Sequence, residues 1–82
     1  MNDPLIELGL RPGETVRFRR RENERWSIGR LATVESDGSL RVIDVKGATL
    51  SLPVDRVEVR KGKSSWEPAA NRVARTEQLG LL

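Results

Sequence analysis

The 82-residue chain has no cysteine and no histidine. It therefore has no disulfide, no thiolate nucleophile and no imidazole acid or base. A metal site would have to be built from carboxylates alone, and no DxDxDG-type cluster is present to hold a hard cation. Small secreted domains are often stapled by disulfides, so their absence is read as a cytoplasmic address. Tyrosine is absent too, and the aromatics are only Phe18, Trp26 and Trp66. No run of about 18 apolar residues occurs, so no membrane span is expected. The opening Met1-Asn2-Asp3-Pro4 lacks the basic flank and apolar stretch of a signal peptide.

What is present fits one domain over residues 1–82. Hydrophobic residues make up 37% and charged residues 33%, enough apolar content for a core. A chain this short buries roughly 60–65% of its unfolded surface, so it has little stability to spare. The formal net charge is +3, and twelve of the fifteen basic residues are arginine. Seven of these fall between Arg11 and Arg30, against Glu14, Glu22 and Glu24.

Residues 3–9, DPLIELG, read as a single helical turn. Asp3 can cap it, Pro4 suits the first helical position and Gly9 the position past the end. Residues 10–60 read as five short strands. Residues 15–20 alternate, with Val16 and Phe18 on one face and Arg17 and Arg19 on the other. A charged loop follows. In residues 26–35 the apolar phase slips: Gly29 and Leu31 are two apart and Val34 comes three later, as a β-bulge would produce. Asp37-Gly38 marks a hairpin turn before residues 40–45. Lys46-Gly47 turns the chain into residues 48–52. Pro53-Val54-Asp55-Arg56 then breaks the pattern before residues 57–60. Residues 65–79 read as a short amphipathic helix, with Glu67 three after Ser64 as in a capping box, Pro68 in the first turn and Trp66, Ala70, Val73 and Ala74 on one side.

Five short strands with tight connections suit a small barrel, because closure removes exposed edges. The order Gly13, Val16, Trp26, Gly29, Leu31, Val34, Asp37-Gly38, Leu40, Val42, Gly47, Leu52 and Val57 resembles that of SH3-like barrels, and among them the Tudor-like branch. The resemblance covers residues 11–60. It implies a mainly β fold: a five-stranded SH3-like (Tudor-like) barrel with a short N-terminal turn, a 3₁₀ turn before the last strand, and here a C-terminal α-helix. The whole chain, including Trp66-Glu67-Pro68, also resembles small actinobacterial proteins, which implies no function. Tudor-like domains that read methylated side chains need several aromatic rings around the cation. Here Ser27, Ile43 and Lys46 stand where cage rings are expected, so methyl-lysine or methyl-arginine reading is not expected.

Two functional readings remain. In the first, Arg17, Arg19, Arg20, Arg21, Arg25 and Arg30 contact RNA or DNA backbone, because guanidinium forks match phosphate geometry, and Trp26 offers a base a stacking platform. Against it stands the plain reading of a solvated strand face and a Trp that closes the barrel. In the second, the domain is an adaptor docking onto a larger protein complex through its groove, or through Trp66, Leu79, Leu81 and Leu82 on the terminal helix and tail. Catalysis is not expected. The serines and threonines would need a buried lysine as base, and Lys46, Lys61 and Lys63 sit in turns or linkers. No phosphate-cradling glycine loop is present, and so small a barrel has little room for a substrate pocket. No cofactor, metal or small-molecule substrate is expected.

Overall fold

A computed structural model describes residues 3–80, the last two by their place in the helix alone. The fold is mainly β. Six antiparallel strands form one sheet: β1 Thr15–Phe18, β2 Ser27–Val34, β3 Leu40–Asp44, β4 Thr49–Leu52, β5 Val57–Lys61 and β6 Ser65–Pro68. They lie in the order β4-β3-β2-β1-β5-β6. The sheet is not closed, and β4 and β6 are its edges. Two helices flank it: α1 Pro4–Glu7 and α2 Ala69–Gly80.

The local chemistry explains most of these elements. The Asp3 carboxylate accepts a hydrogen bond from Leu5 N–H (2.8 Å) and Pro4 opens α1, which seats Leu5 in the core. The bulge in β2 falls where the phase slips. Leu31 pairs with Val42 and Thr33 with Arg41, leaving Ala32 as the extra residue. The β2–β3 turn uses Gly38 at φ +90°, which a side chain would resist. The break at Pro53 becomes a 3₁₀ turn, Val54–Arg56.

Alternate residues of each strand feed one core: Val16 and Phe18, Leu31, Leu40 and Val42, Leu52, Val57 and Val59. Leu5, Leu10 and Ala69 close its ends. Gly29 is buried on the same face, where an added Cβ would stand 2.5 Å from the Ile43 carbonyl oxygen and 3.0 Å from Phe18 Cε1. Only glycine lets β2 and β3 cross this closely.

The C-terminal region departs from the sequence reading. Residues 65–68 are a sixth strand, not the start of a helix. Lys61 and Ser65 pair across the turn at residues 62–64, and Val59 pairs with Glu67. The helix begins only at Ala69, after Pro68. Trp66 is therefore a strand residue, and Glu67 makes no capping box. Glu67 takes an inward position beside Val59, where an apolar residue would ordinarily sit. Arg75 Nη2 meets its carboxylate at 2.6 Å, Arg72 Nε lies 3.7 Å from it, and Arg72 Nη1 reaches Glu14 at 2.5 Å. That network ties α2 to β6 and to the residue before β1. Along α2, Ala69 is buried and Val73 packs on the core, whereas Ala74 is exposed.

Candidate functional site

Directly opposed residues of antiparallel strands share a face. Arg17 therefore stands on the outer face of the sheet, between Ile28 of β2 and Glu58 of β5. Extending the Phe18–Ser27 pair by one residue sets Arg19 opposite Trp26. The side chains complete a connected row. Arg19 Cζ lies 4.3 Å from the Trp26 ring centroid, Arg17 Cζ 4.4 Å from the same centroid and 5.2 Å from that of Trp66. Glu58 neutralises Arg17, accepting from Nε at 2.7 Å with Nη2 at 2.5 Å.

This arrangement sorts the sequence-predicted residues. Trp26 is half-buried and touches two of the chain's own guanidinium groups, so it is not a bare stacking platform. Arg17 is paired and packed, and the cation against both tryptophans is its own guanidinium. Trp66 is held in the same row, opposite Arg60 of β5. Since it lies on β6, it shares no helix face with Leu79. Leu79 belongs to α2, but its side chain, with Leu81 and Leu82, lies outside the described residues.

Arg20, Arg21 and Arg25 are different. They are exposed in the β1–β2 loop, and among the described residues no salt bridge engages them or Arg19. The loop is closed locally: Glu24 N–H donates to Arg21 O at 3.1 Å, and the Glu24 carboxylate accepts from Arg20 N–H at 3.2 Å. Arg19 N–H donates to Arg56 O at 3.4 Å, tying the end of β1 to the 3₁₀ turn. Arg30 sits at the other end of β1, opposite Thr15, where its Nη1 donates to Gly13 O at 3.2 Å.

Between this loop and the β3–β4 turn lies an open cleft of about 550 Å³. Arg19, Arg20 and Lys46 supply cations to its walls, and Ile28, Val45 and Leu50 supply apolar surface. Glu24 and Asp44 line it as well. Both carboxylates also brace the backbone: Asp44 Oδ1 accepts from both Lys46 N–H and Ala48 N–H at 2.9 Å, and Glu24 from Arg20 N–H. A second hollow of about 410 Å³ adjoins it along β2 and β3. The two share Ile28, Asp44 and Val45, and the second ends at Arg30. Through those shared residues they run together as a furrow with Arg19, Arg20 and Lys46 toward one end and Arg30 at the other, exposed Ile28 and Val45 between, and exposed Ile43 directly opposite Arg30.

Lys46, Ile28 and Val45 are site residues that the sequence reading does not pick out. Ile28 is an apolar side chain in the polar phase of β2, and Val45, 81% exposed, stands in a turn. Those misplaced apolar residues were the available signal. Among the described residues no group of three or more His, Cys, Asp or Glu comes together, and no helix is long and apolar enough to cross a membrane. No family model, curated protein or solved structure matches the chain.

Proposed function

We propose that this chain is a non-enzymatic binding module of SH3-like, Tudor-like descent that contacts nucleic-acid backbone through its β1–β2 loop. The observation that carries the reading is the sorting of its arginines. Among the described residues Arg17, Arg41, Arg72 and Arg75 are matched to carboxylates, whereas four of the eight unmatched arginines, Arg19, Arg20, Arg21 and Arg25, gather on one loop, where Arg19 and Arg20 line a cleft with Lys46. Unpaired guanidinium groups are the ones able to exchange counterions for phosphates. The 3₁₀ turn before β5 and the β2–β3–β4 meander support the SH3-like descent, and β6 is an addition to it.

Binding to a mixed-sequence oligonucleotide at two salt concentrations tests the reading. The affinity should fall steeply with salt, and Arg20→Ala with Arg21→Ala should make that slope shallower. Absence of binding at low salt overturns it. A second reading, a protein adaptor, is favoured by one observation, the exposed trio Ile28, Ile43 and Val45.

A further inference from the structure

We infer that the furrow takes single-stranded nucleic acid, with unpaired bases seated on the Ile28–Ile43–Val45 floor while Arg19, Arg20 and Lys46 at one end and Arg30 at the other hold the backbone. This rests on the reading of the loop as a nucleic-acid contact, and it goes further in naming which form of nucleic acid and which part of the nucleotide the chain recognises.

Three features of the furrow lead there. The first is the separation of charge from apolar surface. A surface that met only phosphates would have no use for a floor of Ile28, 45% exposed, Ile43, 40%, and Val45, 81%. In a duplex the base faces are stacked away, and only an unpaired base can lay an apolar face on such a floor. The second is shape. The cations sit at the rim of a concave furrow, on the β1–β2 loop and the β3–β4 turn, rather than across a convex surface that a duplex could lie on. The third is length. Ser27 to Arg30 spans three residues of strand, on the order of 10 Å, so the two cationic ends are separated by a few nucleotides of extended backbone.

The tryptophans take no part in this. Trp26 is engaged by Arg17 and Arg19, so stacking falls to aliphatic side chains. The aliphatic floor itself discriminates little among bases, and any reading of a base edge falls to Ser27, Thr15, Glu24 and Asp44 beside it. The two carboxylates of the furrow, Glu24 and Asp44, keep the site from being a general polyanion trap, because an occupant must offer apolar surface as well as charge.

The test is fluorescence anisotropy with four labelled or competing probes: a mixed-sequence 12-nucleotide single strand, the same length as an abasic strand, the matching duplex, and polyglutamate as competitor. Wild type is compared with Ile43→Ser/Val45→Ser and with Arg20→Ala/Arg21→Ala; the two serine sites are exposed, and circular dichroism checks that each variant stays folded. The single strand should bind about tenfold more tightly than the abasic strand and the duplex, the gain that burying roughly 50–60 Å² of apolar base surface would give. The serine variant should lose most of that preference with an unchanged salt slope. The arginine variant should show a shallower slope and keep the preference. Equal affinity for single strand, abasic strand and duplex overturns the inference and leaves a backbone-only contact. So does equal competition by polyglutamate, or a serine variant that binds like wild type. No binding of any nucleic acid at low salt overturns the underlying reading itself.

Discussion

The guanidinium of Arg17 lies 4.4 Å from the centroid of Trp26, and the same group is ion-paired with Glu58 on the neighbouring strand. A residue that reads in sequence as half of an alternating basic strand face is thus the centre of a packed row running from Arg19 to Trp66. Cation–π contacts at exposed sites are each worth about 0.5–1 kcal/mol, and Trp26 makes two. Trp26→Ala, losing both contacts and a half-buried ring, should cost roughly 1–3 kcal/mol of stability in urea denaturation. Trp26→Phe should recover part of it. If Trp26→Ala unfolds at the wild-type urea midpoint, the row is ornament rather than structure. Arg17→Lys should not substitute well, because an ammonium cannot both fork onto Glu58 and lie flat on indole.

The inward carboxylate of Glu67 gives a second prediction. It is 8% exposed and faces Arg72 and Arg75, which are only partly screened from water. Removing it leaves Arg75 without its carboxylate and Arg72 with Glu14 alone, and opens a gap at the end of the core. Glu67→Ala should lower stability by about 1–3 kcal/mol. The loss should appear locally, as faster amide hydrogen exchange along α2, since a helix of this length does not hold without its packing. Exchange in α2 that stays as slow as in β1 would mean that Ala69 and Val73 suffice to dock it.

Gly29 sits at a close approach of β2 to β3. Its missing Cβ would fall 2.5 Å from the Ile43 carbonyl oxygen, a backbone atom that cannot turn aside. Gly29→Ala should cost roughly 1–3 kcal/mol or more by overpacking, despite the better strand propensity of alanine. Thermal unfolding compares it with Gly13→Ala, where nothing stands within 4 Å but φ is +80°. The first should be the more damaging, with its loss centred on β2 and β3.

At the β2–β3 turn, the Asp37 carboxyl is held below its ordinary value, first by the Ser39 backbone N–H and then by the Ser39 side chain. A carboxyl whose folded value is depressed adds stability above its unfolded pKa and loses it as pH falls through the folded one. The hairpin should therefore loosen on the acid side. In carbon-detected NMR titration the Asp37 carboxyl should titrate below an ordinary aspartate, and Asp37→Asn should flatten the acid arm of the stability curve. A midpoint at or above the ordinary value contradicts the turn geometry.

How far the sequence foretold this structure differs by element. Turn chemistry and alternation located β1 to β5, and the phase slip at Val34 located the bulge. These are local signals that the fold does not override. Residues 65–68 carried a conflicting signal. Ser64, Glu67 and Pro68 are all helix-opening residues, and the inward slot of β6 holds a charge instead of the apolar residue that would reveal alternation. Only pairing with β5 and the arrival of Arg72 and Arg75 make that slot tenable, and both are tertiary events. The candidate site divides in the same way. The loop arginines were legible because they are consecutive. Lys46 joins them through the pairing of β2 with β3, and Arg17 leaves them because Trp66, forty-nine positions away, lies on the same face.

That division makes the last prediction the most discriminating. If phosphate contact depends on charge alone, neutralising any arginine of residues 17–30 should reduce the salt dependence of nucleic-acid binding by a similar amount. If it depends on guanidinium groups without an internal partner, the arginines separate into two classes. Arg17→Ala should lower stability, because it strands Glu58 and uncovers Trp26, while leaving the slope of log affinity against log salt nearly unchanged. Arg20→Ala, Arg21→Ala and Arg25→Ala, in exposed positions, should leave the urea midpoint within about 0.5 kcal/mol of wild type. Each should reduce the slope by up to about 0.7–0.9, the contribution of one neutralised phosphate. Arg19→Ala tests the boundary, since it rests on Trp26 yet lines the cleft, and it should do some of each. A salt slope that drops as much for Arg17→Ala as for Arg21→Ala would mean that the Glu58 pair opens on binding, and that the row on the outer face, not the loop, meets the backbone.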